Sequence, residues 1–279
     1  MSPEALVGTA YDEALALLAD RPLVVLTGAG VSTDSGIPDY RGPGSPARRP
    51  MTIAEFLSGP AARQRYWARS HLGWGRMRTA EPNRGHRAVA ALDPDLLITQ
   101  NVDGLHERAG SRRVVALHGR ICEVTCLGCH WVTSRAGLQH LLERLNPGWA
   151  AAHVQVPTRP DGDVDLEETD GFRVPSCARC DGILKPHVVF FGENVPRDRV
   201  VACFDALDRL SRRGGALLVA GSSLSVMSGL RFVRHAAKID VPVVIVNRGE
   251  TRGDPLARCT VPAGTSEFLA DLAALAGRA

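Results

Sequence analysis

The chain has 279 residues, 44% of them hydrophobic and 23% charged, which is material for one large domain or a large domain with a small companion. A net charge of +3 is too mild to point to nucleic acid, and no run approaches eighteen consecutive apolar residues. Neither a nucleic-acid partner nor a membrane-spanning helix is therefore expected.

The opening "MSPEALVGTAYDEALALLAD" has acidic residues and no basic start leading into an apolar run, so no secretory signal is expected. A helical pattern around 10–19 leads into the apolar run "PLVVLTGAG" (22–30). A helical insertion is expected over about 43–85, then a helix over 84–92 and a second run, "DLLITQNVDG" (95–104). From 118 to 185 paired cysteines, prolines and glycines replace this rhythm, and the acidic stretch 153–175 reads as a surface excursion. Alternation then resumes, with helices around 199–211, 227–238 and 265–276 and apolar runs "GALLVAGSS" (215–223) and "VPVVIVNRGE" (241–250). Continuous apolar runs suit strands buried on both faces of a parallel sheet. The expected fold is α/β: a Rossmann-like doubly wound parallel sheet with a small zinc-ribbon module inserted. Residues 1–118 and 185–279 would form the nucleotide-binding domain, and 119–184 the zinc-binding module.

Seven cysteines include two C-x-x-C pairs, Cys126/Cys129 and Cys177/Cys180, separated by 47 residues. Two such pairs can close a tetrahedral Zn2+ site, and a small module with little apolar content needs that staple. "CLGCH" also satisfies the haem-attachment pattern with His130 as axial ligand, but that chemistry usually follows export and leaves the second pair without a task. A thioredoxin-like role fits poorly, because neither pair opens a helix after a strand. Four thiolates fill the metal's coordination, so one structural zinc is expected, in a reducing cytoplasm. Cys122, Cys203 and Cys259 read as small buried hydrophobes.

"TGAGVSTDSGIPDYRG" (27–42) follows the first strand. Gly28 and Gly30 would let the backbone approach a diphosphate, yet Thr33 occupies the third glycine position of G-x-G-x-x-G. A plain strand-to-helix turn explains a lone G-x-G nearly as well. The whole segment resembles the NAD-binding signature of the sirtuins, the NAD-dependent protein-lysine deacylases. "TQNVDGLHERAG" (99–110), "LHG" (117–119), both cysteine pairs, "LKPHVVFFGE" (184–193), "GSSLSV" (221–226) and "VNRGE" (246–250) agree in order over about residues 20–270. "RQRYWARS" (63–70), "PDGDVDL" (160–166) and "GSSLSVMSGLRF" (221–232) look like the class II branch, which includes the mitochondrial sirtuin associated with lipoamidase and ADP-ribosyltransferase activities.

The resemblance implies NAD, consumed as co-substrate, and acylated-lysine proteins or peptides as partners. Gly28, Ala29 and Gly30 with Gly221, Ser222 and Ser223 would pack against the dinucleotide, and Arg41 suits its diphosphate. Asn247, Arg248 and Gly249 follow a strand at the edge where adenosine would lie; Asp34, Pro38 and Thr265 complete the NAD set. By resemblance, Asp39 and the Ile37 backbone hold the nicotinamide carboxamide, Asn101 and Asp103 complete that pocket, Gln100 reaches a ribose hydroxyl, and Tyr40 shields the reactive centre.

A histidine before a glycine is by itself more often a hydrogen-bonded structural residue; its place in "LHG", between the NAD motif and the cysteine pairs, reverses that and makes His118 the expected general base, with Asn101 as a further catalytic residue. An imidazole titrating near ~6.5 can take a ribose hydroxyl proton at neutral pH. After the acyl oxygen attacks the anomeric carbon, the 2'-hydroxyl attacks the imidate, giving nicotinamide, free lysine and 2'-O-acyl-ADP-ribose. His106 reads as structural or surface. The segment Val188, Val189, Phe190, Gly192 and Glu193 would pair with the peptide backbone and line the acyl channel. Tyr66 and Arg69, three apart on a helix, resemble the pair by which the desuccinylating branch receives a carboxylate; a packed aromatic beside a solvated arginine is the plainer reading. Mono-ADP-ribosyl transfer uses the same activated ribose, and an NAD-sensing binding module is the non-enzymatic alternative. His118, Asn101 and Asp103 together argue against an inert relic. A dehydrogenase fits poorly with the broken fingerprint, and a monomer is favoured.

Overall fold

The computed structural model describes residues 3–39, 50–153, 166 and 168–278. Helix α1 (Pro3–Leu18) precedes strand β1 (Leu23–Thr27). Helices α2 (Ile53–Leu57), α3 (Pro60–Thr79) and α4 (Arg84–Leu92) lead to β2 (Leu96–Thr99), α5 (Leu105–Arg108) and β3 (Val114–Ala116). Then come β4 (Gly119–Cys126), β5 (Val132–Ser134), α6 (Arg135–Leu145), α7 (Trp149–Ala152) and β6 (Leu184–Val188). The chain finishes with α8 (Arg197–Arg212), β7 (Ala216–Ala220), α9 (Met227–Lys238), β8 (Val243–Val246), β9 (Cys259–Val261) and α10 (Thr265–Leu275).

The larger sheet is parallel in the order β3-β2-β1-β7-β8-β9. Strands β1, β7 and β8 are buried along their whole length, so alternate residues feed opposite layers. Val25, Leu97, Leu218 and Val244 pack under α1, α4 and α10 through Leu18, Val89, Phe268 and Leu272. Val24, Ile98, Leu217, Val219 and Ile245 face α8 and α9 through Leu207, Leu210, Phe232 and Val233. Each such fully buried side chain contributes about 1.5–3 kcal/mol. The strand order reverses beside β1, which places a crevice at the carboxyl ends of β1 and β7.

The smaller sheet is antiparallel in the order β5-β4-β6. Strand–helix structure thus continues through the cysteine-bearing segment, where the sequence suggested that it stops; short strands and the 11-residue α6 leave little periodic signal. Strand β6 pairs with β4, so a boundary at 184/185 cuts it after its first residue. Within β4, Ile121, Val124 and Cys126 are buried while Cys122 faces solvent, correcting its reading as buried; Cys203 is buried and Cys259 intermediate.

Candidate functional site

Gly28 and Gly30 follow β1, and Gly221 follows β7. A Cβ on Gly28 would lie 2.6 Å from the Gly221 carbonyl oxygen, and one on Gly30 would lie 2.8 Å from the Gly221 Cα. Gly221 itself has φ +63 and would meet the Val31 nitrogen at 2.6 Å. The Gly30 N–H donates to the Gly221 carbonyl at 2.9 Å. These glycines let the two loops cross in contact, a requirement that holds whether or not a diphosphate approaches.

A buried polar network lies beneath this crossing. The Ser32 hydroxyl donates to Asp103 Oδ2 at 2.7 Å and accepts from Asn101 Nδ2 at 3.0 Å. Asn101 Nδ2 also donates to the Gly28 carbonyl at 3.0 Å, and Gln100 Nε2 to Ser222 Oγ at 2.7 Å. Asn83 caps α4 by accepting from the His86 N–H, and its Nδ2 donates to the Val31 carbonyl at 2.7 Å. That sets His86 Nε2 3.4 Å from Ser32 Oγ. The His106 ring lies 4.7 Å from the His86 ring, and its Nε2 is 2.9 Å from Thr27 Oγ1. Since Thr27 gives its own proton to Thr99 Oγ1, His106 donates there through Nε2–H, and its buried Nδ1 lacks a partner among the described residues. His106 is therefore buried and structural.

Burial lowers the pKa of both histidines, His86 to about 4 and His106 well below its usual value. A histidine kept neutral in the fold but free to protonate when unfolded favours folding above the unfolded pKa of ~6.5. We expect stability to fall as pH drops from about 6.5 towards 4, by about 3 kcal/mol through His86. Urea midpoints against pH, with His86→Gln for comparison, check this; an equally steep loss in the variant refutes the assignment to His86.

His118 precedes β4. Its Nδ1 lies 2.8 Å from the Gln100 carbonyl, which can only accept, so Nδ1 carries the proton and Nε2 keeps its lone pair. Burial lowers the His118 pKa, against the Gln100 bond and with a smaller push from Arg199, which keeps a neutral imidazole at pH 7. Burial raises the Asp103 pKa, opposed by the Leu105 N–H and Ser32. Gly119, at φ +84, would set a Cβ 2.1 Å from the His187 carbonyl, so only glycine lets β4 lie this close to β6 here. The Val189 N–H donates to the His118 carbonyl at 2.8 Å, fastening the 188–193 segment to the same residue.

Lys185 is buried, 2.9 Å from Glu193 Oε2, and Glu193 also accepts from the Phe190 N–H at 2.6 Å. This closes the turn containing Gly192 (φ +88). Phe190 packs with Phe56 and Tyr66, ring centroids 5.3 and 5.2 Å away. Tyr66 is thus part of the aromatic wall beside the proposed acyl channel, whereas Arg69 Nε donates to the Leu166 carbonyl at 2.7 Å. Val188 packs against two hydrophobic clusters, one holding Phe190 and the other Ile37.

Of the remaining sites, Asp34 accepts from Ser266 Oγ at 2.5 Å, Thr265 Oγ1 donates to the Gly30 carbonyl at 3.3 Å, and Ser223 Oγ lies 2.8 Å from Ser225 Oγ. Asn247 Nδ2 donates to the Gly249 carbonyl at 2.7 Å, just beyond β8. A Cβ on Gly264 would lie 3.4 Å from an Arg248 guanidinium nitrogen, so Arg248 reaches the start of α10. Ile37 is buried, while Ala29, Pro38 and Asp39 lie on the same loop. Tyr40 and Arg41 lie outside the described residues, as do residues 43–49 of the expected insertion and most of "PDGDVDL".

The Sγ atoms of Cys126, Cys129, Cys177 and Cys180 all lie within 4.8 Å of one another. The Cys126–Cys180 and Cys129–Cys177 separations are 3.4 and 3.8 Å, against about 3.8 Å for the edge of a tetrahedron with Zn–S bonds of ~2.3 Å. The Gly128 and Arg179 N–H groups donate to Cys126 and Cys177 Sγ. A Cβ on Gly182 would sit 2.8 Å from Cys126 Sγ, so the knuckle closes only over glycine. The donor set fits one zinc ion with no ligand position left open.

Residues 28–228 match the model of the Sir2 family. The chain is 55% identical over 268 residues to NAD-dependent protein deacetylase 1 of Mycobacterium avium (strain 104), covering 94% of each chain. It is 50% identical over 258 residues to NAD-dependent protein deacetylase of Bordetella bronchiseptica, covering 90% of this chain and 92% of the relative. Among solved structures, a Sir2–p53 peptide–NAD+ complex superposes with TM-score 0.76 at 32% identity, over 96% of this chain and 98% of the other. A Sir2 bound to acetylated peptide gives TM-score 0.75 at 30% identity, over 96% and 99%. Sequence reasoning passed over Ser32, although its position within the glycine motif was visible, and over Ser228, whose neighbour in space is 110 residues away in the chain.

Proposed function

The chain belongs to the Sir2 family, and from that premise we propose that it is an NAD-dependent protein-lysine deacylase with His118 as its general base. One observation carries this assignment: His118 Nδ1 faces the Gln100 carbonyl at 2.8 Å, an acceptor only, while burial lowers the ring's pKa and so favours the neutral form with its lone pair on Nε2. Gln100 links it to the glycine crossing, because Gln100 Nε2 donates to the hydroxyl of Ser222, the neighbour of Gly221. Acylated-lysine peptides are the substrates, and a related Sir2 structure holds an acetylated peptide.

In this reading, segment 188–193 receives the peptide and Phe190 with Tyr66 walls the acyl chain. Asn101 and Asp103, held by Ser32, complete the nicotinamide pocket. Attack of the acyl oxygen on the anomeric carbon releases nicotinamide. The 2'-hydroxyl then attacks the imidate carbon while its proton passes to His118 Nε2. Hydrolytic collapse gives free lysine and 2'-O-acyl-ADP-ribose. The four cysteines would hold a zinc ion that fixes the small sheet and stays outside these steps.

We read the protein as a cytoplasmic monomer without nucleic-acid or membrane partners. Its mild charge supports the former, and among the described residues no helix is long and apolar enough to cross a membrane. The deciding experiment is an NAD-dependent screen over acetyl, longer-chain, succinyl and glutaryl peptides, read by nicotinamide release and product mass. Acetyl peptides are expected to be turned over with O-acyl-ADP-ribose as product, and Arg69→Ala to leave the acyl preference unchanged. Modified protein in place of O-acyl-ADP-ribose would establish ADP-ribosyl transfer instead, and loss of succinyl turnover in the variant would restore the carboxylate role of Arg69.

A further inference from the structure

His118 has a second partner that the proposed chemistry does not use. Its Nε2 lies 2.9 Å from the hydroxyl of Ser228, the second residue of α9. Because Nδ1 carries the proton, that contact is a Ser228 O–H donating to the lone pair of the base. Val226 gives α9 no side-chain cap, and Ser228 does not serve as one: its one side-chain bond among the described residues goes to His118. The start of α9 is also pressed against the residue that holds the other nitrogen. A Cβ on Gly229 would lie 2.7 Å from Gln100 Oε1. The imidazole is thus gripped from both sides, by the Gln100 carbonyl and by the first turn of α9.

We propose that Ser228 is a positioning residue that occupies the proton-accepting nitrogen of His118 in the NAD-free protein, and that a ribose hydroxyl of NAD takes its place on binding. The argument rests on His118 being the base that faces the ribose. One lone pair accepts one strong hydrogen bond, so the serine and the ribose hydroxyl compete for it. The hydroxyl keeps the ring plane fixed and the nitrogen satisfied until the dinucleotide arrives. Part of the dinucleotide's binding energy is spent on the exchange.

Imidazole 15N spectra and NAD calorimetry, both without acylated peptide, test this. In Ser228→Ala the His118 Nε2 resonance is expected to move downfield, towards an unbonded acceptor, in the NAD-free protein, and to match wild type once NAD is bound. NAD is expected to bind about threefold more tightly, because no hydroxyl must be displaced. Ser228→Thr restores both properties. Ser228→Cys, a weaker donor, shifts both in the alanine direction with smaller amplitude and serves if the alanine variant fails to fold. An unmoved Nε2 resonance, or NAD binding that is unchanged or weaker, overturns the proposal. Neither readout needs turnover, so failure of the general-base assignment shows up separately, as activity surviving in His118 variants.

Discussion

Replacing His118 by alanine is expected to lower kcat on an acetylated peptide by about 10²- to 10⁴-fold, the range a positioned general base contributes. The fold should tolerate the change. The Gln100 carbonyl and the Ser228 hydroxyl that the ring leaves behind border the crevice, where water can satisfy them. Thermal midpoints should therefore move by only a few degrees while activity collapses. The acid limb of kcat/KM sharpens the test. Burial lowers the imidazole pKa, so the wild-type plateau should extend below pH ~6.5 before protonation of Nε2 abolishes acceptance. Residual activity of the alanine variant should lack that limb. A variant retaining a tenth of wild-type turnover would remove His118 from the mechanism.

The second large effect concerns the cysteines. Cys177→Ser, or exhaustive chelation, is expected to release one zinc ion per chain and to unfold the β5-β4-β6 sheet. Structural zinc sites carry apparent binding free energies of about 10–16 kcal/mol, as large as the entire stability of a typical domain. The loss should reach the reaction although no thiolate touches it. Strand β4 begins at Gly119, directly after His118, and its pairing with β6 also orders Val189 against the His118 carbonyl. Metal analysis, hydrogen exchange across β4 and deacylase rate should therefore change together. Full activity in a zinc-free protein with β4 still protected would show that the module holds itself.

The elements legible in the sequence were those whose burial leaves an unbroken apolar run. Strands β1, β2, β7 and β8 stood out because both faces are covered, whereas β3 and β9, three residues each at the sheet edges, carry too little signal. The cysteine pairs could be read because metal geometry constrains local spacing. Long-range contacts could not: Ser228 meets His118 only because two segments converge at one end of the sheet. Gly28 and Gly30 were legible as special, but for an incomplete reason. The sequence suggested room for a ligand, and the structure adds that each glycine makes room for another stretch of backbone.

The Lys185–Glu193 contact has a bearing on the enzyme as a target of its own class of modification. The chain contains two lysines, and this one is sealed in the interior with its ammonium engaged. Lys238, at the exposed end of α9, is the one remaining ε-amine. The other cationic side chains are guanidinium groups, which keep their proton at neutral pH and so offer no free lone pair to an acyl donor. A protein built to strip acyl groups from lysine thus offers reactive acyl donors a single side-chain amine of its own.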